Sequence, residues 1–165
     1  VIGNAGGGKS TMSRELCMLY KLPYFELDKI QWQPGYLQTP AKKYNEAHQS
    51  LIAGKRWLVD GYGSWSSVLE RMDAADTIIV IDHHILIHYW WATKRQFKSL
   101  FNNGEVQPGN SPPWRLTLKL YKMIWQLHRT QRSKLIDEVE QRSNIKRYIH
   151  IQSPSALKHF LKTPV

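Results

Sequence analysis

A chain of 165 residues with 42% hydrophobic and 22% charged residues can bury one sizeable core and is too apolar to be disordered. Its single cysteine, Cys17, excludes an intrachain disulfide and points to a reducing, cytoplasmic compartment. The longest aliphatic run, Ile78 to Ile81, is far short of a membrane span, so no membrane partner is expected, and the net charge of +10 points to an anionic partner.

In chain order, Val1-Ile2 reads as the tail of a strand whose beginning is expected to lie before the given residues. Lys9 to Lys21 reads as a helix with Met12, Leu16 and Leu19 turned inward, stopped by Pro23. "YFEL" (24–27) is a short strand ending at Asp28, followed by a loop around Pro34-Gly35. "TPAKKYNEAHQSLIAG" predicts a helix with Thr39 as N-cap, Pro40 at the first position and Gly54 at the end. "WLVD" (57–60) and "TIIVID" (77–82) are too continuously apolar to be half-exposed and read as central parallel strands. Residues 85–101 return to helical spacing, with Leu86, Trp90, Thr93, Phe97 and Leu100 on the apolar face. A loop covers 102–113, a long helical stretch runs from about Trp114 to Gln141 with a break near 130, and "RYIHI" (147–151) and Ser155–Leu161 close the chain as strand and helix. Strands alternating with helices predict an α/β fold with a parallel sheet in a single domain.

The opening "VIGNAGGGKST" places four glycines in six positions, at a cost in backbone entropy that a function must offset. Gly3, Gly8, Lys9 and Ser10 fit G-x-x-x-x-G-K-[ST] between a strand and a helix, the pattern of a phosphate-binding P-loop. The expected binding segment is Gly3, Asn4, Ala5, Gly6, Gly7, Gly8, Lys9, Ser10 and Thr11. Its N–H groups and the following helix N-terminus face an anion, Lys9 reaches the β- and γ-phosphates, and the Ser10 hydroxyl is a ligand for Mg²⁺. ATP with Mg²⁺ is the expected ligand.

Asp28 and Asp60 close two predicted strands, whose C-terminal ends face the ligand crevice in an open parallel sheet. Asp60 is expected to hold a magnesium-bound water, and Asp28, with Glu26 before it, to orient or deprotonate an acceptor hydroxyl. Loop or helix capping is the alternative for both. Asp82 also ends a strand, but capping is expected there. From His83 to Lys134 there are nine Lys and Arg against Glu105 alone, a local charge of +8. His84, His88, Trp91 and Arg95 share one helix face, and Arg115, Lys119, Lys122, Gln126 and Arg129 another, with Arg132 a turn later. The segment 91–134 reads either as a solvated face or as a basic lid that closes over a triphosphate. His83, His84 and His88 lack a carboxylate at helical spacing and are taken as lid or surface residues, not metal ligands.

At this point the chain resembles the adenylate-kinase-like P-loop kinases, in the order P-loop, Asp28, Asp60-Gly61, arginines around an insertion, and a closing strand and helix. More closely, "LDKIQWQPGY", "RWLVDGY", "ADTIIVID" and "IWQLHRTQRSKL" resemble the bacterial DNA topology modulation proteins. The resemblance implies a three-layer P-loop fold, here expected as five parallel strands flanked by helices, with an arginine-bearing lid. It also implies that Arg95 meets phosphate, that Arg129 and Arg132 approach the transferring group, that Trp91 takes the place of an arginine lying against the adenine, and that Gln152-Ser153-Pro154 lies near the base. Two departures stand out. Tyr62-Gly63-Ser64 follows Asp60-Gly61 where adenylate kinases have Phe-Pro-Arg, and no arginine falls between Asp28 and Lys55. Lysine is a poorer bidentate clamp for phosphate, so the acceptor is not expected to be AMP. Trp32, Tyr36, Tyr62 and Trp65 either line an acceptor pocket or belong to the core.

The leading expectation is an ATP-dependent kinase of a small molecule. The alternatives are a nucleic-acid-associated NTPase whose basic segment holds a phosphate backbone, or a nucleotide-binding switch with little turnover.

Overall fold

The computed structural model describes residues 1–33, 37–101 and 113–163, with side chains described outside 98–101 and 113–116. Strand β1 (Ile2–Gly3) leads through the glycine loop into helix α1 (Lys9–Tyr20), which ends where Lys21 turns left-handed at φ 52°. Met12 and Leu16 are buried as expected, but Leu19 faces out and Ser13 takes the inward position that the helical period requires. Strand β2 (Tyr24–Glu26) stops a residue early, because Leu27 leaves the strand to begin a short helix, α2 (Leu27–Gln31), and is fully buried there. Asp28 therefore sits in the first turn of α2 and not at the end of a strand.

An antiparallel pair, β3 (Trp32–Gln33) and β4 (Leu37–Gln38), flanks the expected Pro34-Gly35 loop, which lies outside the described residues together with Tyr36. In helix α3 (Ala41–Ile52) the N-cap is Pro40, and Thr39 does not cap it; Ala53 closes it one residue before Gly54. Strand β5 (Leu58–Asp60) is followed by a helix that the sequence reading missed, α4 (Trp65–Ala74), capped by the Ser64 hydroxyl accepting from the Ser67 N–H. Strand β6 (Thr77–Ile81) and helix α5 (Ile85–Phe101) fall where periodicity put them. Helices α6 (Pro113–Thr130) and α7 (Arg132–Arg142) part at Gln131, the expected break. Strand β7 (Arg147–Ile151) and helix α8 (Pro154–Lys162) end the chain.

The fold is mixed α/β. The five expected parallel strands are present, but they are grouped as β1-β6-β7 and β2-β5 instead of forming one five-stranded ladder. The short β1 explains the split: beyond its two residues, only Val1 reaches β5, donating to Val59 O at 2.7 Å and accepting from Gly61 N at 3.4 Å. Two apolar clusters anchor the trio. One joins Val80 of β6, Val68 and Met72 of α4 and Leu135 and Val139 of α7; the other joins Met12 and Leu16 of α1 to Ile81, Ile151 and Leu157. A third, of Leu27, Tyr44, Leu51 and Val59, carries the β2-β5 side. Tyr62 and Trp65 pack on the first cluster, so of their two readings the core one applies; Trp32 is exposed.

Helix α5 reverses its expected orientation. Leu86, Trp90 and Phe97 are exposed, while His88, Ala92 and Gln96 are buried. The inward face meets the polar backbone of the glycine loop, where a carbonyl needs a donor and a close approach needs a small side chain.

Candidate functional site

The glycine loop runs between β1 and α1 under the inner face of α5. Gly6 has φ 68°, and a Cβ there would lie 2.6 Å from His88 O and 3.2 Å from Ala92 N. Gly8 has φ 81°, and its Cβ would lie 2.9 Å from the Trp91 ring. No side chain other than hydrogen fits either place without moving neighbouring atoms. Gly8 caps α1 without any side-chain hydrogen bond, and the first turn of α1 holds no acidic residue. Its first N–H groups and its positive dipole end are thus left for an anion.

Lys9 Nζ donates to Asn4 O at 2.8 Å, which folds the ammonium back over the loop. Burial lowers its pKa; Asp60 and Asp28 favour its charge and Arg95 opposes it. Ser10 Oγ donates to Asp60 Oδ2 at 2.6 Å, and Tyr24 OH donates to the same oxygen at 3.3 Å. Desolvation, reinforced by Asp60, pushes the Tyr24 phenol up to about 12, so it remains a donor. Asp60 is buried, and its Oδ1 has no hydrogen-bond partner. A buried carboxylate oxygen without a partner is costly unless something occupies it. A hydroxyl and a carboxylate side by side, one oxygen unclaimed, fit Mg²⁺, which keeps its waters and takes few protein ligands. Among the described residues no group of three or more His, Cys, Asp and Glu converges on a point.

Asp28 stands at the surface, yet its neighbours strip enough water to raise its carboxyl pKa. Lys9 and Arg95 pull it down while Asp60 and Glu26 push it up. The expected residues Lys9, Ser10, Asp28, Asp60 and Arg95 therefore lie within electrostatic reach of one another. Arg95 and Arg129 are exposed and make no ion pair among the described residues. Arg132 is placed differently: its Nε and terminal nitrogen grip Asp82 at 2.6 and 2.7 Å. Asp82 also meets His150 Nε2 at 3.1 Å. Burial alone would raise the Asp82 pKa, but the bonds from Arg132 and His150 outweigh it and hold the carboxyl below its usual range. Asp82 is thus an ion-pair partner and not a helix cap.

Trp91 is partly buried, edge-on to His83 with ring centroids 5.4 Å apart. Ser153 caps α8, its hydroxyl accepting from Ala156 N at 3.1 Å, and so has a structural task of its own.

Sequence reasoning missed Arg71 and the structural tasks of His83, His88 and Asn4. His83 and His88, taken as lid or surface residues, are each 1% exposed. His88 is lowered to about 4, chiefly by burial, and is therefore neutral near pH 7. Since Ala5 O only accepts, the Nδ1–H of His88 donates to it, at 2.9 Å. Asn4 bridges the loop and α6: its Oδ1 accepts from Ala5 N at 2.8 Å and its Nδ2 donates to Ile124 O of α6 at 2.8 Å. Arg71, from the unforeseen α4, is buried and donates to the carbonyls of Gly61 (3.2 Å) and Tyr62 (2.7 Å), fixing the chain just after Asp60. Ala92 was the available signal for His88, because a small residue at the centre of a helix face marks a close backbone approach.

Among the described residues no helix is long and apolar enough to cross a membrane. No family model matches the chain, and no curated protein matches it significantly.

Proposed function

We propose that the chain is an ATP- and Mg²⁺-dependent phosphotransferase of the adenylate-kinase-like P-loop group, related to the DNA topology modulation proteins, with a small acceptor other than AMP. The observation that carries this reading is the convergence of Lys9, the Ser10–Asp60 pair and Asp28 beside the uncapped N-terminus of α1. In this reading the Val1 hydrogen bonds make the two strand groups one five-stranded P-loop sheet.

The loop N–H groups and Lys9 bind the phosphates, with Lys9 exchanging Asn4 O for phosphate oxygen. Mg²⁺, when bound at Ser10 and Asp60, supplies charge neutralisation of the phosphates. Asp28 accepts the proton of the acceptor hydroxyl as that oxygen forms its bond to the γ-phosphorus; the bond to the β–γ bridging oxygen breaks and ADP leaves. Arg95 and Arg129, without an ion pair among the described residues, neutralise the charge that develops, and Arg132 joins them only when its pair with Asp82 opens. Trp91 and the Ser153 turn flank the base. The site works on solutes of a cytoplasmic compartment.

The test is transfer from γ-labelled ATP to a panel of nucleoside monophosphates, nucleosides, sugars and hydroxy acids, with Lys9→Ala as the blank. Labelled product that vanishes in the blank is the expected result. ATP binding without any labelled acceptor overturns the kinase reading.

A second reading, a nucleic-acid-associated NTPase, is favoured by one observation: Lys94, Arg95, Lys119, Lys122 and Arg129 are exposed and unpaired among the described residues. It requires DNA or RNA binding that weakens steeply with salt.

A further inference from the structure

Helices α5 and α6 lie side by side along a seam where the Tyr89 and Tyr121 rings stand 5.0 Å apart and Thr93 hydrogen-bonds the Tyr121 hydroxyl. Large apolar side chains line the outer edges of that seam. Leu86, Trp90 and Phe97 are three or four residues from Tyr89 or Thr93; Leu118 and Trp125 are three and four from Tyr121. Trp90 is 66% exposed, Leu86 64%, Leu118 58% and Trp125 50%, so these side chains stand proud of the helices and do not fill a groove between them. Next outward come basic residues. Lys94 is one turn from both Trp90 and Phe97, and Lys122 and Arg129 are one turn from Trp125 on either side. All three are exposed and make no ion pair among the described residues. Neither the 17 residues of α5 nor the 18 of α6 include an Asp or Glu.

We propose that this face of α5 and α6 docks on an anionic lipid bilayer, lying in the headgroup region with the tryptophans and leucines inserted and the basic rims on the lipid phosphates. Three features select this occupant. The charge requires an anionic partner, which disfavours a second copy of so basic a chain. The protruding, ungrooved strip cannot enclose a partner helix. For a single nucleic acid strand, the aliphatic Leu86 and Leu118 offer nothing to stack on, and the cations flank the strip on both sides where a backbone track would run beside the rings. The inference concerns attachment to a membrane surface and not a crossing of it. It shares Arg129 with the proposed phosphotransferase, so the variants that test it are placed at Lys94, Lys122, Trp90 and Trp125, which that reading does not use.

The experiment is co-sedimentation of the whole chain, without nucleotide, with vesicles of equal parts phosphatidylglycerol and phosphatidylcholine, and with phosphatidylcholine alone. Binding is expected to the first and not to the second. The exposed double substitutions Trp90→Ala/Trp125→Ala and Lys94→Glu/Lys122→Glu, each with an unchanged melting temperature, are each expected to weaken it at least tenfold. A chain that stays in the supernatant overturns the proposal. So does a tryptophan variant that binds as tightly as the parent, since charge alone would then account for the attraction. Loss of single-stranded oligonucleotide binding, or of self-association, in the tryptophan variant without loss of vesicle binding assigns the strip to that partner instead and also overturns it.

Discussion

On the α5 side of the glycine loop, protein packs against the backbone closely enough that a methyl group at Gly6 would strike a main-chain oxygen, and a neutral histidine is buried with its ring N–H on a loop carbonyl. On the α2 side the arrangement is open: Asp28 meets solvent, Lys29 and Arg14 make exposed pairs with Glu26, and Trp32 is 40% exposed. The closed side fixes a shape, one that does not depend on which base or acceptor arrives. The open side carries charge with few steric constraints, and that is where an acceptor would be chosen. Substitutions on the two sides should therefore fail in different ways.

The sharpest separation is expected at Asp28. Asp28→Asn should lower phosphoryl transfer about a thousandfold while leaving stability within about 0.5 kcal/mol, because the side chain is exposed. Equal losses of both in kinetic and urea-unfolding measurements would erase the distinction between the two sides. Gly6→Ala should do the reverse and cost on the order of 3 kcal/mol of stability through a disfavoured φ and a collision with His88 O. Urea titration reads this directly.

His88 gives the closed side a pH signature. Its pKa falls from 6.5 to about 4 in the folded chain. Above pH 6.5 both folded and unfolded forms are neutral there, and nothing changes. Between 6.5 and about 4 only the unfolded form takes the proton, so stability falls as pH falls, by on the order of 3 kcal/mol over the window. His88→Asn keeps a donor for Ala5 O and should lose that much less than the parent between pH 6.5 and 4, as measured by unfolding midpoints. The smallest effect is expected at the Asp82 clamp. Arg132→Gln should cost about 1 kcal/mol, since the arginine is half exposed. It should also make stability less sensitive to acid below the usual carboxylate range, because the folded Asp82 carboxyl is then no longer held below its unfolded value by the guanidinium.

The glycine loop, β6, α5 and β7 were legible because continuous apolar runs and a spaced glycine motif act over a few residues. The orientation of α5 was not legible, because amphipathic pattern assumes an apolar partner surface and the inner face of α5 carries His88 and Ala92 against the polar backbone of the glycine loop. Asp28 was found as a residue but misplaced as an element, since nothing local to "YFEL" announces that Leu27 will leave the strand to fill a space under Gly61. Residue type identified Lys9, Ser10 and Asp60. Arg71 and Asn4 act through main-chain carbonyls outside their own elements, and no pattern of residue types encodes such partners.

The Asn4 side chain spans from the glycine loop to the main chain of α6, and Lys9 rests on the carbonyl of that same residue. The loop and α6 are therefore joined through one residue. Under the proposed function, an anion that draws Lys9 away from Asn4 would alter the free energy of parting α6 from the loop, and by reciprocity lifting α6 would alter the affinity for that anion by the same factor.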